Sequence, residues 1–206
     1  MTELPILFSA PMVRAILDGS KTQTRRVMTN HPGDDWVHDG FGRITSKHPK
    51  RGRFGLFVRR GLGTDFPELD IVPSRYGQPG DRLWVREAHS VRVRPEDSPD
   101  GLARVWYRAS SPWSEDDRVV WSPSIHMHRW ASRITLEITR VRVERLQDIS
   151  EADCIAEGCA GGHGSIPGYA YAATPLEHYN WLWNHINGPG EWEANPWVWV
   201  IEFKKV

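Results

Sequence analysis

Two cysteines in 206 residues, Cys154 and Cys159, are too few for a disulfide scaffold. No apolar run approaches the ~18 residues of a membrane span, so no membrane partner is expected. An excess charge of one sign is also missing: 26 Lys and Arg stand against 26 Asp and Glu. That balance argues against a protein that wraps long nucleic acid by charge alone. The stretch MTELPILFSAPMVRAILDG contains Glu3 and no basic n-region, so no signal peptide is read there and a cytoplasmic location is expected. GxGxxG, P-loop, GxSxG and HExxH patterns are absent, as are repeats and low-complexity tracts. Tryptophan, by contrast, is plentiful, with 11 residues.

The length fits a single domain, residues 1–206, with a core that needs no staples. Pro5 to Phe8 reads as a brief strand, and Pro11 to Leu17 as a short helix with proline in its first turn and Gly19 as its stop. Lys21 to Met28 reads as extended. Residues 30–79, rich in Gly, Pro and basic side chains, read as an insertion carrying one hairpin. Its basic clusters, around 50 to 61, are able to touch phosphates, but in a chain of zero net charge they read as solvated loop.

Gly80-Asp81 turns the chain into a strand over Arg82 to Glu87, and a loop over Arg94 to Gly101 leads to another over Ala103 to Arg108. Residues 110 to 131 read as loop. Ile134 to Ile138 alternates apolar and polar, slips at Thr139-Arg140 and resumes at Val141 and Val143, the pattern of a β-bulge. Ser150 to Asp153 reads as a capping box, with Ile149 and Cys154 as its hydrophobic staple, opening a helix that stops at Gly158. A second helix spans about Pro175 to Asn187, with Leu176, Tyr179, Trp183 and Ile186 at helical spacing. The apolar Pro196 to Phe203 predicts a strand covered on both faces. The expected class is α+β: a small, mostly antiparallel β-barrel with short flanking helices.

Three places carry candidate chemistry. At the helix-to-strand junction Gly19 to Arg26, an irregular backbone can bring the Lys21 ammonium to the Thr24 hydroxyl. A lysine whose pKa is lowered by burial or by Arg25 and Arg26 can then deprotonate that hydroxyl. The bland alternative is a solvated basic turn. Glu157 sits at a helix end, where the dipole disfavours negative charge and Asp153 adds repulsion; a carboxyl poised toward neutrality suits a proton donor. Its alternative is an exposed helix-end glutamate. Glu87 follows Leu83 and Val85 on one strand face, either in a site or in a structural ion pair. A metal is not expected: Cys154, Cys159 and His163 match no standard zinc spacing, and loop His126 and His128 read as packing or surface groups.

Gly19-x-Lys21-x-x-x-x-Arg26 resembles the GxKxxxxR signature of ASCH domains, a branch of the PUA-like β-barrel superfamily. The element order is similar too: helix, signature, Gly80-Asp81 turn into a strand, long strand, capped helix, and a final Ile201-Glu202-Phe203 strand. Lys21-Thr22-Gln23-Thr24 resembles the Lys-Thr-x-Thr segment of the small bacterial N4-acetylcytidine amidohydrolases, which are about half this length. The resemblance leaves out the insertion at 30–79. The longer form, with Leu-Trp-Val-Arg-Glu and Asn-Pro-Trp-Val-Trp, looks more like ASCH-like proteins of phages and prophages.

The resemblance implies a catalytic set of Lys21, Thr24 and Glu157, the last reached by counting on from Leu146 to Glu151. It implies a metal-independent, cofactor-free amidohydrolase that removes an acyl group from N4-acylated cytosine or cytidine. Arg26 is expected to hold Glu157 or an oxyanion, Glu87 to shape the pocket, and Trp84 or Trp130 to stack on the pyrimidine. The expected partner is a small nucleobase or nucleoside, with RNA as a second partner class. Two other readings stay open: a module that binds RNA or modified nucleic acid, including a ribonuclease, and a phage accessory protein without catalysis.

Overall fold

The computed structural model describes residues 1–65, 67–93, 104–115 and 118–206. The loop expected over Arg94 to Gly101 lies outside them. The chain folds as α+β, mostly sheet with few short helices.

Five strands form the main sheet: β1 (Glu3–Leu7), β2 (Gln23–Val27), β6 (Arg82–Arg86), β9 (Thr135–Arg145) and β10 (Trp197–Lys205), in the order β1-β6-β9-β10-β2. β1 runs parallel to β6; the other neighbours are antiparallel. Backbone pairing does not close this sheet into a barrel. Its edges are β1 and β2, and α1 (Ala10–Asp18) connects them in sequence. Arg26 of β2 also reaches the carbonyl of Leu7 in β1 at 2.7 Å.

β10 sits inside the sheet and is buried on both faces, as its unbroken apolar run predicts. Trp199, Ile201 and Phe203 join the main core with Ile6, Phe8, Leu83 and Leu136. Val198 and Val200 join a second cluster with Leu146, Cys154, Tyr179 and Trp183. On β9 the register steps from Glu202 opposite Arg140 to Phe203 opposite Ile138, leaving Thr139 as the extra residue. That step lets Leu136, Ile138 and Val141 all reach the main core despite the slip in alternation.

The region 30–79 holds three strands rather than one hairpin. β3 (Val37–Arg43), β4 (Phe54–Arg60) and β5 (Glu68–Pro73) form an antiparallel sheet in that order. Leu56, Val58 and Val72 carry it into the main core, where Trp36, Phe54 and Tyr76 pack alongside. The third strand is a short apolar run beside a proline, a weak signal in sequence. The basic clusters are ion-paired rather than simply solvated: Arg59 with Asp39, Arg60 with Glu68, Lys50 with Asp70. β7 (His89–Val93) and β8 (Arg104–Tyr107) form a separate two-stranded ribbon.

α2 (Glu151–Ala156) is capped by Ser150, whose hydroxyl accepts from the Asp153 amide at 3.1 Å. The reciprocal capping box is found instead on α3 (Pro175–Asn187), between Thr174 and Glu177. Tyr179 and Trp183 of α3 are buried, whereas Leu176 and Ile186 are exposed. No helix among the described residues is long and apolar enough to cross a membrane.

Candidate functional site

Two helix ends meet to build the site. α1 stops at Gly19, with φ of 85°, and α2 is followed by Gly158, with φ of 91°; both are left-handed conformations that glycine adopts without strain. A side chain at position 158 would also crowd Ala15, 3.2 Å from the added carbon. This close approach lets Lys21 and Glu157 pair as an antiparallel bridge, flanked by Lys21 N to Ala15 O at 2.9 Å and Thr22 N to Ala156 O at 2.8 Å.

The Lys21 ammonium is fully enclosed. It donates to Glu157 Oε2 at 2.6 Å and to the Glu157 carbonyl at 2.8 Å, and it lies 5.9 Å from the Phe8 ring centre. Burial holds the Lys21 pKa below the ordinary lysine value; Glu157 opposes that shift and the nearby Arg26 charge adds to it. Glu157 is 5% exposed, so it is not a free helix-end glutamate. Its second oxygen accepts from Arg25 at 3.3 Å. The unfavourable charge expected at this helix end is therefore met by two cations. Arg25 also contacts Asp153 at 3.3 Å, so a guanidinium bridges the two acids expected to repel.

Arg25 anchors a wider network between the sheet and α2, pairing with Glu144 while Arg142 links Glu144, Asp153 and Glu202. Gln23 donates to both the carbonyl and the carboxylate of Asp153 at 2.9 Å. Burial would raise the Asp153 carboxyl, but the Gln23 hydrogen bond and the Arg25 and Arg142 charges outweigh it and bring it to about 2. Charges satisfied this thoroughly fix Glu157 in place.

Thr24 is 1% exposed and lines a pocket of about 130 Å³ together with Arg25, Arg26, Glu157, Tyr76, Tyr179 and Trp183. Burial, then the Glu157 charge, push the Tyr179 phenol well above its ordinary value, so it keeps its proton. Among the described residues the buried Trp183 indole N–H has no hydrogen-bond partner, a costly state for a donor. Thr24 and Glu157 thus share a pocket, and Glu157 and Lys21 share a hydrogen bond. No hydrogen bond joins Thr24 to Lys21, whose ammonium is committed to Glu157.

Four expected roles change. Arg26 lines the pocket but holds the Leu7 carbonyl and covers the Phe8 ring at 5.3 Å; Arg25 is the arginine on Glu157. β2 presents the two to opposite faces: Arg25 stands opposite Val200 and Arg26 opposite Trp199, and only the first face meets α2. Glu87 is buried in a two-pronged pair with Arg133, at 2.8 and 3.0 Å, away from the pocket. Trp84 lies under the Arg86 guanidinium, 5.2 Å away, and Trp130 stacks with His128, 6.4 Å between ring centres. Neither lines the pocket. The aromatics that do are Tyr76, Tyr179 and Trp183. Helical spacing marks the last two as inward-facing, but nothing local in the sequence marks Tyr76.

Cys154 and Cys159 are buried, and desolvation pushes their thiols up to about 11 and about 12. Among the described residues no three His, Cys, Asp or Glu side chains are grouped to hold a metal ion. Comparison with protein-family models, with curated proteins and with solved structures returned no match.

Proposed function

We propose that the protein is a metal-independent amidohydrolase of the ASCH, PUA-like type, which cleaves the N4-acyl amide of a cytosine base. The observation that carries this reading is the enclosed Lys21–Glu157 pair beside a pocket walled by Thr24. A buried lysine of lowered pKa, a hydroxyl and a carboxylate are the parts that acyl transfer from an amide requires.

The proposed steps use these three groups in turn. Across the 2.6 Å contact the Lys21 ammonium gives a proton to the Glu157 carboxylate. Thr24 Oγ1 then attacks the acyl carbon, and its proton passes to the neutral Lys21 amine. Glu157 protonates the departing N4, which leaves as the amino group of cytosine, and the acyl group remains as an ester on Thr24. Water then attacks the ester, losing a proton to Glu157; a proton returns through Lys21 to the departing Thr24 oxygen, and the acid and the Thr24 hydroxyl are released. Arg25 holds the far oxygen of Glu157 so that Oε2 stays on Lys21. Catalytic hydrogen bonds commonly tighten only when substrate is bound, and the mechanism requires that the neutral Lys21 amine turn its lone pair toward the Thr24 hydroxyl at that stage.

The small pocket suits a single flat base. Tyr76, Tyr179 and Trp183 offer aromatic surface, and the Tyr179 phenol offers a donor to ring acceptors or to the acyl oxygen. The test is hydrolysis of N4-acetylcytidine and N4-acetylcytosine followed by liquid chromatography. Release of cytidine or cytosine is expected; no release from either compound overturns the substrate assignment.

A further inference from the structure

A second concavity of about 600 Å³ adjoins the Thr24 pocket, sharing Met12, Arg26, Tyr76 and Ile186 as walls. Its charged lining is Arg26 and Arg86; among the described residues no Asp or Glu lines it. Ser9, Ser124 and Tyr76 contribute hydroxyls, and apolar side chains make the rest.

The two arginines differ from the others around the site. Arg25 and Arg142 are each paired with carboxylates. Arg26 and Arg86 are instead held by neutral carbonyl oxygens. Arg26 donates to Leu7 at 2.7 Å, and Arg86 donates to Met127 at 3.0 Å and to Ile125 at 2.5 Å. Each guanidinium also lies over a ring, Phe8 or Trp84. Such contacts fix the position of a guanidinium without cancelling its charge. In a chain of zero net charge, two uncancelled arginines in one acid-free groove form a local anion-binding surface. Guanidinium groups with free N–H edges match phosphate oxygens well.

We propose that this groove is a phosphate subsite and that the base pocket takes cytosine as a nucleotide, with the phosphate between Arg26 and Arg86. The cytosine part of this inference rests on the function proposed above; the phosphate part rests on the groove.

The experiment is calorimetric binding of cytidine, cytidine 5′-monophosphate and a cytidine dinucleotide to the wild-type chain and to Arg86→Met, Arg86→Lys and Arg140→Gln. Wild type is expected to bind the monophosphate about ten- to a hundredfold more tightly than cytidine, with the gap narrowing as salt rises. Arg86→Met should collapse that ratio, Arg86→Lys should keep part of it, and the control Arg140→Gln, on an exposed side chain, should keep all of it. Dinucleotide bound as tightly as the monophosphate identifies a phosphodiester source; weaker binding identifies a terminal phosphate. No gain in affinity from either phosphate in wild type overturns the subsite, as does a ratio that survives Arg86→Met. N4-acetylcytidine hydrolysed without any phosphate preference defeats the subsite alone. A phosphate preference without hydrolysis of any N4-acetyl compound supports the subsite and defeats the amidohydrolase reading.

Discussion

Lys21 Nζ lies 2.6 Å from Glu157 Oε2 and 2.8 Å from the carbonyl oxygen of the same residue, in a contact sealed from solvent. Glu157 has a second cation in Arg25, whereas Glu157 is the only acidic side chain paired with Lys21 among the described residues.

That asymmetry predicts unequal costs. Glu157→Gln strands an enclosed ammonium beside Arg25 and should cost about 3 kcal/mol or more of stability. Lys21→Met leaves Glu157 paired with Arg25 and should cost less. Urea unfolding of both variants checks the order; a larger loss for Lys21→Met contradicts the pairing described.

Glu87 and Arg133 predict a separation of stability from activity. Their buried two-pronged pair lies outside the pocket, so Glu87→Gln should lower the unfolding midpoint by several degrees. The hydrolytic kcat/KM of the folded variant should match wild type. A selective loss of kcat/KM with an unchanged midpoint would return Glu87 to the site.

Asp153 sets an acid limit. Its carboxyl falls from an ordinary 3.8 to about 2 in the folded chain, so the unfolded chain binds the proton more readily. The resulting stabilisation is complete above about pH 4 and is lost as pH falls through about 2. Asp153→Asn should therefore be less stable than wild type at pH 6, by at most ~2 kcal/mol, and the gap should close toward pH 2. Denaturation midpoints across that range measure it; a gap independent of pH refutes the assignment.

The two cysteines should be inert. Thiols pushed up to about 11 and about 12 hold almost no thiolate at pH 8, and both are buried. Ellman's reagent should label neither in the native chain and both in urea. Rapid labelling of native protein at pH 8 contradicts their environment.

Much of this fold is legible in the order of residues. The doubly buried β10 follows from its unbroken apolar run, and the Thr139 bulge follows from one slip in alternation. Gly19 marks the end of α1 because little else adopts its conformation so cheaply. The site is legible only in part. Arg25 and Arg26 are neighbours with the same chemistry, and what separates them is which face of β2 meets α2. That contact is tertiary and leaves no mark on local sequence. Tyr76 is hidden for a similar reason: a residue from the 30–79 region reaches the pocket only because β3–β5 pack against the main core. Residue type alone points to Trp84 and Trp130 for the pyrimidine, and type does not say which side chains face the pocket.

The most direct measurement is chromatographic quantification of cytidine released from N4-acetylcytidine by wild type, Thr24→Ala and Lys21→Ala, with circular dichroism confirming that each is folded. The account predicts steady release by wild type and a loss of at least about a hundredfold in both folded variants. Cytidine release by Thr24→Ala at the wild-type rate contradicts the nucleophile, and no release by wild type contradicts the function.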